Sequence, residues 1–206
     1  MESRRVRVLA ICATHFERAR IALPDAVRTL VCGVGPVEAA ARTAVALAGD
    51  RYDLVLNLGI AGAFEGRAAI GEACVVATDF IELDRENGET LRVPAGDRLY
   101  HRAQSDPSLV EMLAASGIAQ RTGITVSRVT TSASTVARLS ALGAETESME
   151  GFAVLRAAAI ARVRALELRG ISNLVGPRAA DEWKLEAAFA ALADATHRLF
   201  AAVEPT

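Results

Sequence analysis

Lysine is nearly absent from this chain: Lys184 is the only one in 206 residues. Arginine supplies the remaining positive charge, and no basic cluster stands out. With 23 basic against 25 acidic side chains the formal charge is −2, so no surface for nucleic acid is implied. Cysteine is scarce too. Cys12, Cys32 and Cys74 form no CxxC pair and lie in apolar, strand-like runs, so buried free thiols are expected. His15, His101 and His197 are scattered without an HExxH spacing, and no metal site is expected. Neither GxGxxG nor GxxxxGK[ST] is complete, which weakens any dinucleotide or P-loop reading; no cofactor is expected. There is no run of about 18 apolar residues to span a membrane. The charged start, Met1 to Arg7, lacks the apolar core of a signal peptide, and a cytoplasmic protein is expected.

What is present is a hydrophobic content of 51%, enough for a real core in one domain over residues 1–206. Strand-like and helix-like runs alternate. Strands are expected at Val6 to Ala13, Thr29 to Cys32, Asp53 to Leu58, Ala73 to Phe80, Ile124 to Thr130 and Ala165 to Ile171. Helices are expected at Val37 to Ala48, with Pro36 as first residue, and at Pro107 to Ala115. Three more are expected at Ser134 to Ala141, with Ser134 near its cap, at Gly151 to Val163 and at Glu182 to Val203. Glu82 to Ala103 reads as a long polar loop. The alternation predicts an α/β domain with a central mixed or parallel sheet.

The stretch from Glu147 to Asn173 holds the most chemistry. Glu150 stands at a helix start and Asn173 at a strand end, where α/β folds place ligands. The plainer alternative is that Glu150 only caps its helix and Asn173 only starts a turn. Gly33-x-Gly35 and Gly59-x-x-Gly62 each follow a strand. They read as tight strand-to-helix turns or as places where backbone amides approach a ligand.

These residues carry a resemblance. The first strand into Glu17, CGVGPVEAAA, NLGIAGAF, ESMEGFA and RGISNLVGPR together resemble the purine nucleosidase branch of the nucleoside phosphorylase superfamily. Within it the chain is similar to the futalosine hydrolases, enzymes of an alternative menaquinone route. It resembles methylthioadenosine/S-adenosylhomocysteine nucleosidases more distantly. The resemblance implies a single-domain, three-layer αβα sandwich with a central mixed sheet. It implies a purine nucleoside substrate, and a homodimer or higher assembly in which the 82–103 loop reaches a neighbouring site.

By the same resemblance, Glu17 falls where a carboxylate orients and deprotonates the attacking water. Met149 and Glu150 fall where the ribose is held, and Asn173 where the purine is engaged. Arg169 falls near the water site. Ile60 stands where a nucleosidase serine helps to hold that water, so the site must be built differently. Ser148 replaces a more usual acidic or amide residue. Gly62 and Phe152 join the expected substrate contacts. Arg178, His15 and His101 are candidates for a benzoate on the substrate's 5′ extension, and Trp183 for a cover over the pocket.

The residue types suit N-glycosidic cleavage, which builds positive charge on the ribose and negative charge on the purine. An asparagine amide can donate to a purine O6 and accept from a protonated N7, which favours hypoxanthine. Phosphorylase-like arginine and hydroxyl positions are missing, which favours water as nucleophile. Alternatives are a methylthioadenosine/S-adenosylhomocysteine nucleosidase, a 6-oxopurine nucleoside phosphorylase, or a nucleoside-binding protein without catalysis.

Overall fold

A computed structural model describes residues 6–83, 91–94, 97–177 and 183–205. Alternating side chains build the central strands. In β1 (Val8–Cys12), Leu9 and Ile11 face one helix layer, while Val8 and Ala10 face the other. The same alternation continues through β3 (Leu54–Ala63) and β8 (Arg164–Leu174), as expected for strands covered on both faces. One layer holds α2 (Pro36–Gly49) and α5 (Gly151–Ala161). The other holds α3 (Pro107–Ala115) and α6 (Leu185–Ala202).

The sheet is mixed. β2 (Arg28–Val31), β1, β3 and β8 run parallel in that order. β8 then pairs antiparallel with β4 (Ala73–Ile81), which pairs parallel with β6 (Ala119–Thr125). The short β7 (Thr146–Ser148) joins β6 back to the far end of β3, so this part of the sheet closes on itself. β5 (Arg102–Gln104) adds an antiparallel edge to β4. The remaining helices are the short α1 (His15–Arg18) and α4 (Ala133–Ala141).

Most expected elements are present, with instructive shifts. β3 runs through Gly59 and Gly62, which are therefore strand residues and not turn residues. Side chains from elsewhere fill the space that their own Cβ atoms would take. Gly33 and Gly35, at φ of +85° and +94°, do form a turn, and Pro36 opens α2 after it. β8 extends three residues past Ile171, so Asn173 lies in the strand and starts no turn. β6 lies earlier than expected, because the polar run Gln120–Thr122 pairs with β4 while the chain after Thr125 leaves the sheet. The α4 cap is Ser132, whose hydroxyl accepts from the Thr135 N–H, and Ser134 is already inside the helix. The expected 82–103 loop lies partly outside the described residues, and its end forms β5.

α6 packs on β8 at Gly170. A Cβ there would run into the Ala188 backbone carbonyl, which cannot swing away as a side chain can. Gly170→Ala should therefore destabilise the fold by about 1–3 kcal/mol or more through overpacking. A denaturant midpoint equal to wild type would show that the helix can shift without cost.

Candidate functional site

At the ends of β1, β3 and β8 lies a cavity of about 380 Å³. Its wall is largely apolar, with Val34, Ile60, Val129, Met149 and Leu185, and Phe16 and Trp183 at partly exposed positions. Glu17, Glu147, Glu150, Ser172 and Asn173 supply most of its polar groups.

Glu17 is no solvated helix-start residue: it is 7% exposed. The Thr14-His15-Phe16-Glu17 turn is a capping box. The Thr14 hydroxyl accepts from the Glu17 N–H at 3.1 Å, and Glu17 Oε2 accepts from the Thr14 N–H and hydroxyl, both at 3.0 Å. Its other oxygen accepts from the Ile60 N–H at 3.3 Å. Ile60 thus contributes a backbone donor to the carboxylate, in the place where a serine was missed.

Glu150 occupies the cap position of α5 but makes no side-chain cap bond. The cap-like contact comes from Ser148, whose hydroxyl accepts from the Gly151 N–H at 3.3 Å. The Glu150 carboxylate instead crosses to the turn before α2 and accepts from the Gly35 N–H at 2.9 Å. Burial raises its pKa above the ordinary carboxylate value, against the pull of Arg169 and that N–H.

Asn173 is held in one orientation. The Leu174 carbonyl can only accept, so the atom 2.8 Å from it is the amide nitrogen. The Ser172 hydroxyl donates to Asn173 Oδ1 at 2.8 Å. A register shift at Ala61/Gly62 sets Asn173 opposite Gly62, where a Cβ would stand 2.9 Å from Nδ2. One N–H and one lone pair of the amide remain for a ligand.

Arg169 is not in the cavity wall. It is buried behind Glu17, with Nε donating to Glu167 Oε1 at 2.8 Å. At Gly59 a Cβ would lie 2.6 Å from Arg169 Nη1 and 2.8 Å from Glu17 Oε1, so the missing side chain makes room for both. Burial works against the guanidinium charge, but Glu167, Glu150 and Glu17 outweigh it and raise its pKa.

Among the other expected contacts, Gly62, Ile60 and Met149 line the cavity. Phe152 does not: it packs against the core under α2 and α5, and its N–H donates to the Thr125 hydroxyl at 2.7 Å. His15 and His101 are exposed and outside the wall, and Arg178 lies outside the described residues. Trp183 does line the cavity. Sequence reasoning missed Thr14, although its capping-box spacing was legible, and Ser172, Glu167 and Asp79. Among the described residues no metal-binding cluster exists. All three cysteines are buried and free.

The chain matches the model of the phosphorylase superfamily over residues 12–205, and it belongs to that family. It is 40% identical over 193 residues to a futalosine hydrolase of Streptomyces coelicolor, covering 88% of this chain and 82% of that protein. It is 37% identical over 183 residues to one of Thermus thermophilus, covering 84% and 80%. Its fold is similar to that of a 5′-methylthioadenosine/S-adenosylhomocysteine nucleosidase from Colwellia psychrerythraea in complex with adenine. That match has a TM-score of 0.82 at 18% identity, over 99% of this chain and 98% of the other. The Neisseria meningitidis nucleosidase in complex with methylthio-immucillin-A gives 0.78 at 20%, over 95% and 99%.

The buried acids behind the cavity generate a pH prediction. Burial raises Asp79 well above its ordinary 3.8, and neighbouring Glu167 raises it further. Below about pH 3.8 the folded and unfolded chains both hold this proton, and the site costs nothing. At higher pH the unfolded chain releases it while the folded one retains it, so stability falls. Asparagine has no such dependence. The melting temperature of Asp79→Asn relative to wild type should rise as the pH is raised above about 4. A difference independent of pH would mean that Asp79 folds as an ordinary carboxylate.

Proposed function

We propose that this protein hydrolyses the N-glycosidic bond of futalosine, releasing hypoxanthine and dehypoxanthine futalosine, as a step of the alternative menaquinone route. One observation carries the reading: Glu17, Glu150 and the oriented Asn173 amide face one cavity. The relatives at 40% and 37% identity, both futalosine hydrolases, supply the substrate. Residues 1–206 act as one domain in this reading.

Glu17 is the general base. Its carboxylate is fixed by Thr14 and the Ile60 N–H, so little reorganisation is needed to receive the proton of an attacking water. Glu150, beside Met149, holds the ribose hydroxyls and stabilises the positive charge that develops on the sugar. Asn173 receives the base: its free N–H donates to O6, and once N7 has taken a proton from solvent its Oδ1 accepts from N7–H as the purine leaves. The apolar wall, with Phe16 and Trp183, takes the 5′ extension and excludes bulk water.

The same reading makes the protein a cytoplasmic homodimer or higher assembly. Val37 and Val45 on α2 and Ile160 on α5 are 80%, 74% and 68% exposed, which a partner copy would cover. Val34, from the turn before α2, lines the cavity, so that face adjoins the site.

The direct test is release of free hypoxanthine from futalosine, with and without phosphate, beside adenosine, inosine and methylthioadenosine. Phosphate-independent release from futalosine is expected. Strict phosphate dependence, or preference for methylthioadenosine, would overturn the assignment.

Base choice has its own test. Asn173→Asp places a carboxylate against O6, acceptor against acceptor, and also loses the bond to the Leu174 carbonyl. Both substrates should slow, but the ratio of kcat/KM for futalosine over its 6-amino analogue should fall by about 10²-fold, equivalent to a few kcal/mol. An unchanged ratio in a folded variant would remove Asn173 from base recognition.

A further inference from the structure

Two buried acids take no part in the chemistry just described. Behind the cavity, Asn57 Nδ2, Asp79 Oδ2, Glu167 Oε2 and Arg169 Nη2 are buried without hydrogen-bond partners among the described residues. Asn57 and Glu167 are register partners on β3 and β8, and Gly59 and Arg169 follow them on the same face. Above them lies Gly151, the first residue of α5. A Cβ there would stand within 2.7 Å of both Glu167 carboxylate oxygens, and closer still to Asp79 Oδ2. The two carboxyl groups therefore meet in the space that this glycine leaves.

We propose that Glu167 and Asp79 form one positioning unit: they fix the Arg169 guanidinium from behind and take up its charge, leaving Glu17 and Glu150 free for the water and the ribose. The proposal rests on the reading of Glu17 as the base.

The charge count supports it. Two buried carboxyls this close cannot both be ionised, so they share one proton and carry a single negative charge. That charge matches Arg169. Asp79 is aimed by the Thr125 hydroxyl, which donates to its Oδ1 at 2.8 Å and accepts from the Phe152 N–H at 2.7 Å. The head of α5 thus orients the acid pair, and the pair orients the guanidinium. Across Gly59, Arg169 Nη1 and Glu17 Oε1 crowd the space a Cβ would take, so without Glu167 the guanidinium can turn toward Glu17. A Glu17 turned toward Arg169 is out of place for the water it serves.

The groups facing this network come from several elements. Glu17 from α1, Glu150 before α5 and Glu167 on β8 act on Arg169. The thiols of Cys12, Cys32 and Cys74 also face it, but burial raises them to about 12, 11 and 12, so they stay neutral in an assay. Arg18 lies near Cys12, and the Arg121–Glu72 pair lies beyond Cys74.

The test is the steady-state kinetics of futalosine hydrolysis by wild type, Glu167→Gln, Glu167→Asp and Glu17→Gln. Glu167→Gln should lower kcat by up to about 10²-fold with KM much less affected, as for a misplaced catalytic group. Glu167→Asp keeps a carboxylate beside Arg169 and should bring kcat back toward wild type. A folded Glu167→Gln with wild-type kcat overturns the proposal. Undiminished turnover by Glu17→Gln would instead overturn the reading of the base. Should Glu167→Gln fail to fold, infrared spectroscopy decides. A carbonyl stretch from a protonated carboxyl should persist at neutral pH in wild type and vanish in Asp79→Asn, and its absence from wild type overturns the proposal.

Discussion

Arg169 lies within the sheet with 2% of its side chain exposed, and its charge has to be met where it stands. A buried guanidinium cannot lose its proton, so the only remedy is nearby negative charge. Glu167 provides the direct bond, and Glu150 and Glu17 surround the rest. Three carboxylates with Asp79 beside them are more than one guanidinium can balance. Burial raises Asp79 and Glu167, so that this pair holds part of the acidity as neutral carboxyl. Lysine would be a poor substitute. Its ammonium is a point charge, whereas the planar guanidinium can bond Glu167 through Nε while its Nη1 reaches Gly59.

Such crowding is possible only because several strand and helix-start positions have no side chain. Gly59 admits Arg169 and Glu17, Gly62 admits Asn173, and Gly151 admits the two acids. At Gly59 and Gly151, two chain segments distant in sequence bring functional atoms over the same Cα. The site is therefore carved into the sheet itself, and its precision comes from strand register, with the Ala61/Gly62 shift setting the position of Asn173.

This explains what the sequence did and did not disclose. α3 spans Pro107–Ala115 as expected, because Asp106 and Pro107 start it and a Ser-Gly pair follows it. The alternation of strands and helices identified the fold class. The end of β3 was misjudged because glycine was read as punctuation, when here it makes room for side chains. Glu150 and Asn173 were legible as candidates from their places at a helix start and a strand end. Glu17 drew its assignment from resemblance, since HFERAR looks like a solvated turn. Glu167 and Asp79 gave no signal. Each is a lone acid in an apolar run, and only the closure of β4 onto β8 brings them together. Phe152 illustrates the opposite error. An aromatic in the first turn of a helix that is apolar on most sides can equally face the core, and it does.

The same electrostatics bears on the choice of nucleophile. The cavity wall contains three carboxylate residues, Glu17, Glu147 and Glu150, and no lysine or arginine among the described residues. The guanidinium behind it is already bonded to Glu167. An entering phosphate dianion would meet uncompensated negative charge in a partly apolar cavity, where such repulsion is poorly screened. Water meets no such barrier, and in the proposed mechanism Glu17, held by Thr14 and the Ile60 N–H, takes its proton. As the glycosidic bond stretches, the ribose becomes cationic, and the same negative charge that repels phosphate becomes attractive. The charge balance therefore discriminates twice: against an anionic nucleophile in the ground state, and in favour of the sugar cation in the transition state.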